Sequence, residues 1–241
     1  MKYIICLIGF LSFFLFSCEK ETEGLSRSTY YVAFEIIGGT PTIVQVGEPY
    51  VDAGVKATEQ GKDVTSQVTF KSNVNSNAMG MYKVEYTSPK NVDGLTSRAI
   101  RDVIVCNPSV TTNLAGKYVG LEGTKRIATA SGAEIEYPGY HATITYLAPG
   151  FFQINDFFAG YYAERQYPQY GYAMMGMSGY FALNDDNTIT LISSYISAWG
   201  DSLDKLENGI YDPDTGEISW DAYYANAYNF HVIMNLDKEK I

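Results

Sequence analysis

Cysteine, histidine and tryptophan are scarce in this 241-residue chain, with three, two and two copies. No Cys/His spacing suited to zinc occurs, and no glycine-rich loop sits between a strand and a helix to hold phosphate, so no cofactor is expected. Hydrolysis by a nucleophile and base needs a histidine beside a serine or cysteine motif, and neither His141 nor His231 has one. Each reads as a structural residue. Basic residues are also few, 17 against 27 acids for a net charge of -10, and such a chain repels phosphate backbones. Nucleic acid is excluded as a partner on that ground.

Long apolar runs are nearly absent too. The one at the start follows Met1-Lys2, extends from Tyr3 to Phe16 and stops before Ser17, short of the roughly 20 residues that a spanning helix requires. Its layout is that of a secretory signal peptide over residues 1–17. The closing "LFSC" resembles a bacterial lipobox, which implies that Cys18 is lipidated and becomes the first residue of the mature chain. Three acyl chains exceed the two signals that stable anchoring needs, so membrane attachment through Cys18 is expected. "EKETEG" then resembles the acidic export signals of Bacteroidota surface lipoproteins, implying an outer-membrane protein that faces outward; a plain charged tether over residues 18–35 is the other reading. Cys6 leaves with the leader and Cys18 carries lipid. Cys106 remains as a lone thiol, expected to be buried, and the fold must hold without an intrachain disulfide.

What is plentiful is tyrosine, 21 copies in a chain that is 15% aromatic, most of them after residue 107. This uneven composition predicts two domains, at residues 36–107 and 117–241, joined by a polar linker over residues 108–116. Both read as all-β: an N-terminal β-sandwich and a C-terminal antiparallel β-barrel or curved sandwich.

In "MYKVEYTS" a period of two puts Tyr82, Val84 and Tyr86 on one face and Lys83, Glu85 and Thr87 on the other, the pattern of a half-buried strand. "SRAIRDVIVCN" becomes apolar on both faces toward its end, as a strand inside a sandwich does. The order "GEPYVDAGVKAT", "GKDVTSQV" and "MGMYKVEYTSPKNVDGLTSRAIRDVIV" resembles bacterial Ig-like domains, with their Tyr-Asp-x-Gly start, here with Val51 inserted, and their final Arg-x-Val-x-Val strand. The resemblance implies a spacer.

Beyond the linker, "GKYVGLE", "YHATITYLA", "GFFQIND", "YAMMGMSGYFALN", "NTITLISSYI", "GEISWDAYY" and "YNFHVIMNL" are short β-type runs separated by turn signals. Only the short "DSLDKLENG" has helical spacing. This succession is similar to the C-terminal domain that follows an Ig-like domain in Bacteroidota lipoproteins of unassigned function. Lipoproteins of that wider group often accompany outer-membrane glycan importers, which implies a carbohydrate context and transfers no catalytic residue.

The candidate chemistry is sugar stacking. The stretch "AGYYAERQYPQYGY" is too polar and irregular for a core strand and reads as a loop presenting Tyr161, Tyr162, Tyr167, Tyr170 and Tyr172. Trp199 and Trp220 add larger rings, with Asp201 and Asp221 close by in sequence. Such rings stack on the C–H faces of a polysaccharide or oligosaccharide, and they also fill barrels with their polar tips outward. The competing function is therefore a structural or adhesive surface lipoprotein meeting an outer-membrane protein partner; a glycan hydrolase ranks below both. "YDPDTGEISW" approaches an oxygen-ligand spacing for calcium but places Gly216 one position early, and it reads first as a hairpin turn. No metal is expected.

Overall fold

The structure, a computed structural model, describes residues 28–238. The leader at residues 1–17 and the lipidation candidate Cys18 lie outside the described residues. Among the described residues, no helix is long and apolar enough to cross a membrane.

The N-terminal half folds as two facing sheets. One joins β1 (Ala33–Ile36), β3 (Val55–Glu59) and β4 (Lys62–Asp63); the other has the order β2 (Thr42–Gln45), β7 (Arg98–Cys106), β6 (Gly80–Thr87), β5 (Thr69–Ser72), with β2 parallel to β7. Alternation in β6 works as the sequence implies: Val84 and Tyr86 are buried while Lys83 and Glu85 are exposed. Val55, Val84, Tyr86 and Val103 form the core between the sheets. β1 begins at Ala33, inside the stretch read as tether, because its residues pair with β3 from Ala33↔Thr58 to Ile36↔Val55.

The Tyr-Asp-x-Gly and Arg-x-Val-x-Val motifs meet in one buried polar network. Arg101, only 1% exposed, sends Nη2 to the carbonyls of Ile37 (2.8 Å) and Gly54 (2.6 Å), and its Nε lies 3.2 Å from Asp52. The same carboxylate accepts the hydroxyls of Tyr50 (2.8 Å) and Tyr86 (2.7 Å). A buried guanidinium is tolerable because its donors are satisfied, and those donors tie β7 to the loop after β1 and the loop before β3.

The C-terminal half is a single curled antiparallel sheet. β11 (His141–Ala148), β12 (Phe151–Ile154), β13 (Ser178–Leu183) and β14 (Ile189–Tyr195) form one meander; β15 (Lys205–Tyr211), β16 (Ile218–Tyr224) and β17 (Tyr228–Leu236) form another. β8 (Gly116–Gly120) lies between β17 and β11 and links the two. A hairpin of β9 (Lys125–Ala128) and β10 (Glu134–Glu136) extends from β17. The sheet curls until β14 and β15 meet at a single bridge, Thr188↔Ile210, and Tyr211 N–H reaches the Asn187 carbonyl at 2.9 Å. Its concave side is filled by Phe157, Phe158, Phe181, Trp220, Phe230 and their neighbours.

Three expectations change. "DSLDKLENG" contributes to strand β15, not a helix, because Leu206 and Ile210 pair with β16 across a bulge at the positive-φ Asn208. The supposed linker packs: Val110 and Leu114 are buried in the C-terminal core, and Tyr118 donates its hydroxyl to the Leu114 carbonyl. The tyrosine-rich loop is helical, with a π-helix at Tyr161–Gln166 and a short α1 at Gly171–Met175.

Candidate functional site

Asp156 organises the tyrosine-rich segment. Fully buried, its carboxyl accepts the backbone N–H of Phe158 (2.9 Å) and Gly160 (2.9 Å) ahead of the π-helix, and of Met177 (3.0 Å) just beyond α1. Both ends of the segment are thus tied to one side chain. Burial pushes this carboxyl up to about 7, against the three N–H donors that favour its anion. Gly160 then takes φ 82°, and a Cβ there would meet Tyr140 Cβ at 2.8 Å, so the turn requires glycine. The π-helix follows, with Tyr167 N–H bonded to the Tyr162 carbonyl at 2.9 Å. Single π turns of this kind recur at functional sites.

The segment forms one wall of a cleft of about 590 Å³, well inside the roughly 300–1,000 Å³ range of small-ligand sites. Tyr161, Tyr162, Gln166 and Tyr167 come from the π-helix and its end; Trp199 and Asp201 come from the β14–β15 connection. Arg126 on β9 and the pair Tyr224 and Tyr228 complete the lining. Those last two face each other across the β16–β17 turn, whose Ala225 and Asn226 both have positive φ, as a tight two-strand turn requires. Trp199 is held from behind: Ala198 N–H reaches the Met174 carbonyl in α1 at 2.9 Å, and Ile196 bridges Asp201.

The rings are ordered against one another. Tyr162 and Tyr167 stack at 6.3 Å and 18°, and Trp199 stands edge-on to Tyr162 at 5.0 Å and 75°. Trp199 is 44% exposed and Tyr167 38%, so both present ring surface to solvent, whereas Tyr161 and Tyr162 form a buried floor. Arg126 lies over Tyr228 at 4.5 Å and over Tyr161 at 5.3 Å. Tyr224 donates its hydroxyl to Asp201 at 3.1 Å. Burial pushes the Tyr162 phenol up to about 12 although Arg126 pulls the other way, so it is a neutral hydroxyl at physiological pH.

Of the seven rings picked out from the sequence, the fold brings Tyr161, Tyr162, Tyr167 and Trp199 to this cleft. The other three lie elsewhere. Tyr170 is 55% exposed but outside the lining. Tyr172 turns its hydroxyl to Glu164 and to the His141 carbonyl, both at 2.7 Å, and serves as a strut. Trp220 is a correction: at 1% exposure it is a core residue, edge-on to Phe157 at 5.6 Å, with Nε1–H donated to the Phe157 carbonyl. Arg126, Tyr224 and Tyr228 were not anticipated, because pairing between strands distant in sequence puts them there, Arg126 lying opposite Phe230.

The remaining candidates have structural partners. His141 Nδ1 is 3.0 Å from Glu164, which also accepts the His141 backbone N–H, and His231 Nδ1 is 2.9 Å from Asp221. The Asp212–Glu217 stretch is the β15–β16 turn, in which Asp212 accepts Asp214 N–H and the Thr215 hydroxyl.

A family model for a C-terminal domain matches residues 107–236, more than half of the chain. The model of the bacterial surface protein Ig-like domain matches residues 34–105. The lipoprotein BT2262 from Bacteroides thetaiotaomicron is 36% identical, with 85% of this chain and 100% of that one covered and a TM-score of 0.47. The chain belongs to the BT2262 family. Every lining residue of the cleft lies inside the span of that family's C-terminal domain. The CBM51-2 and INT domains of Clostridium perfringens ZmpB match at 21% identity and TM-score 0.24, over 50% of this chain and 28% of that one. A comparison with curated proteins found no match.

Proposed function

We propose that this member of the BT2262 family is a lipid-anchored protein of the outer membrane, facing outward, that binds glycan without cleaving it. The observation that carries the reading is the half-exposed pair Trp199 and Tyr167 at the mouth of a cleft floored by further rings. Ring faces supply apolar area for sugar C–H groups, while Gln166, Arg126, Asp201 and the tyrosine hydroxyls offer hydrogen bonds to the sugar's hydroxyls. Asp201 already accepts the Tyr224 hydroxyl, and the neighbouring Asp204 accepts the Asn226 N–H, so both carboxylates beside the rings are engaged in holding the fold. That favours retention of the sugar over its hydrolysis, in which two carboxylates act on the bond. The family match to a lipoprotein and the lipobox at Cys18 support the anchor, with the Ig-like half as spacer.

The test is a glycan array and affinity-gel screen on the chain, the Trp199→Ala/Tyr167→Ala double variant and Tyr170→Ala. The reading expects one polysaccharide class to be retained by the parent and by Tyr170→Ala and lost by the double variant. Absence of binding across a broad panel would sink it and move the weight to a protein partner.

A further inference from the structure

Arg126 is the only formally charged cation in the cleft lining, and no carboxylate among the described residues pairs with it. On its own hairpin, Glu134 is committed elsewhere, holding Lys125 at 2.9 Å. Arg126 is instead laid between the rings of Tyr228 and Tyr161, and its Nε is shielded from solvent without an acceptor. A guanidinium so placed is pre-organised to meet a carboxylate, because the rings fix its plane and its only side-chain hydrogen-bond neighbour among the described residues, the Tyr162 hydroxyl, is uncharged.

The cleft continues past Asp201 and Tyr224 into a second hollow of about 500 Å³, whose lining adds Asp204 and Asn226. There Asp204 Oδ2 accepts the Asn226 N–H at 2.7 Å. The groove therefore carries a positive charge in its ring-lined half and two carboxylates in its continuation. With a net charge of -10 on the whole chain, a densely charged polyanion would be repelled at long range. One negative charge, positioned at Arg126 with uncharged sugar extending toward Asp201, suits both features.

We infer that the ligand is an acidic oligosaccharide with a single carboxylate-bearing sugar among neutral ones, its carboxylate held by Arg126 and its neighbouring ring stacked at Trp199 and Tyr167. This rests on the glycan-binding reading of the same cleft and adds the ligand's charge to it.

The experiment uses mixed oligosaccharides that each carry one hexuronate among neutral sugars, every one paired with its carboxyl-reduced, neutral product. Calorimetry with the anchored chain's soluble form compares the parent, Arg126→Gln and Arg126→Lys, with thermal unfolding as the check that each variant folds. The parent should prefer the acidic member of at least one pair by about 10- to 100-fold, the range of one hydrogen-bonded charge contact. Arg126→Gln should bind both members alike and at the neutral level, and Arg126→Lys should recover only part of the preference. Equal binding of acidic and neutral members by the parent, or a preference that survives in Arg126→Gln, overturns the inference. In that event a loss of binding in the Trp199→Ala/Tyr167→Ala variant leaves the glycan reading standing, whereas no binding by any acidic or neutral chain removes both.

Discussion

Trp220 sends its indole N–H to the Phe157 carbonyl from inside the curled sheet, whereas Trp199 keeps a ring face in solvent at the cleft mouth. The two should therefore fail differently when truncated. Trp220→Ala removes a fully packed ring and is expected to cost about 3–5 kcal/mol of stability, while Trp199→Ala, on the surface, should cost under about 1 kcal/mol. In the glycan screen the order reverses, with Trp199→Ala losing ligand. Urea unfolding of both variants checks the first half, and equal midpoints would contradict the assignment of Trp220 to the core. At this scale the sequence was half informative. Residue type gave sugar-stacking and core-filling as the two fates of a tryptophan, and the local neighbours "SAWGDS" and "SWDAYY" do not separate them. What separates them is the strand phase: Trp220 alternates with the buried Ile218 and Ala222 on β16, a run of period two that points inward. Arg126 gave no such signal, since its role depends on Tyr228, a residue that reaches it only through the β9–β17 pairing.

The π-helix and α1 illustrate how an element can be invisible locally. "AGYYAERQYPQYGY" has no apolar period and contains Pro168, so its composition predicts a loop; what folds it is the Asp156 carboxyl, set before the segment and bonded to both its ends. That arrangement makes the element sensitive to pH in a direction that can be worked out. Asp156 is raised to about 7 in the folded chain, while an unfolded aspartate titrates near about 3.9. Between those values the folded state holds a proton that the unfolded state has released, so stability from this group is full below about pH 4 and declines as pH rises toward about 7. Other carboxylates titrate mostly below about pH 5, which leaves pH 5 to 7 as the useful window. Guanidinium midpoints of the parent should fall across that window, and those of Asp156→Asn, which cannot titrate, should fall less. A difference between the two curves that does not change from pH 5 to 7 would rule out the raised value.

At the scale of the whole molecule, the two halves share an apolar seam. Ile104 and Cys106 at the end of β7 pack with Ala148 and Phe151 at the β11–β12 turn, and the polar rim is closed by Asn107 and Ser109 donating to Asp185 at 3.1 Å and 2.5 Å. The apolar doubling of "VIVC" was visible in the sequence, and it has a reason that the sequence could not supply: one face meets the Ig-like core and the other meets the second half. A spacer joined in this way would transmit the orientation of the cleft to the anchor, which a free tether would not. Cys106 reports on the seam. It is 1% exposed, and burial pushes its thiol up, so labelling by a disulfide reagent requires the seam to open. Phe151→Ala deletes a fully buried ring, a change that costs about 3–5 kcal/mol in a packed core. In a chain with Cys6 and Cys18 replaced by serine, this variant should label at Cys106 about 100-fold faster or more under native conditions, with the far-ultraviolet spectrum retained, because local opening becomes cheaper than global unfolding. Labelling that stays slow while the thermal midpoint drops would mean that the halves separate only when the whole chain unfolds, and the seam would then be part of one cooperative core.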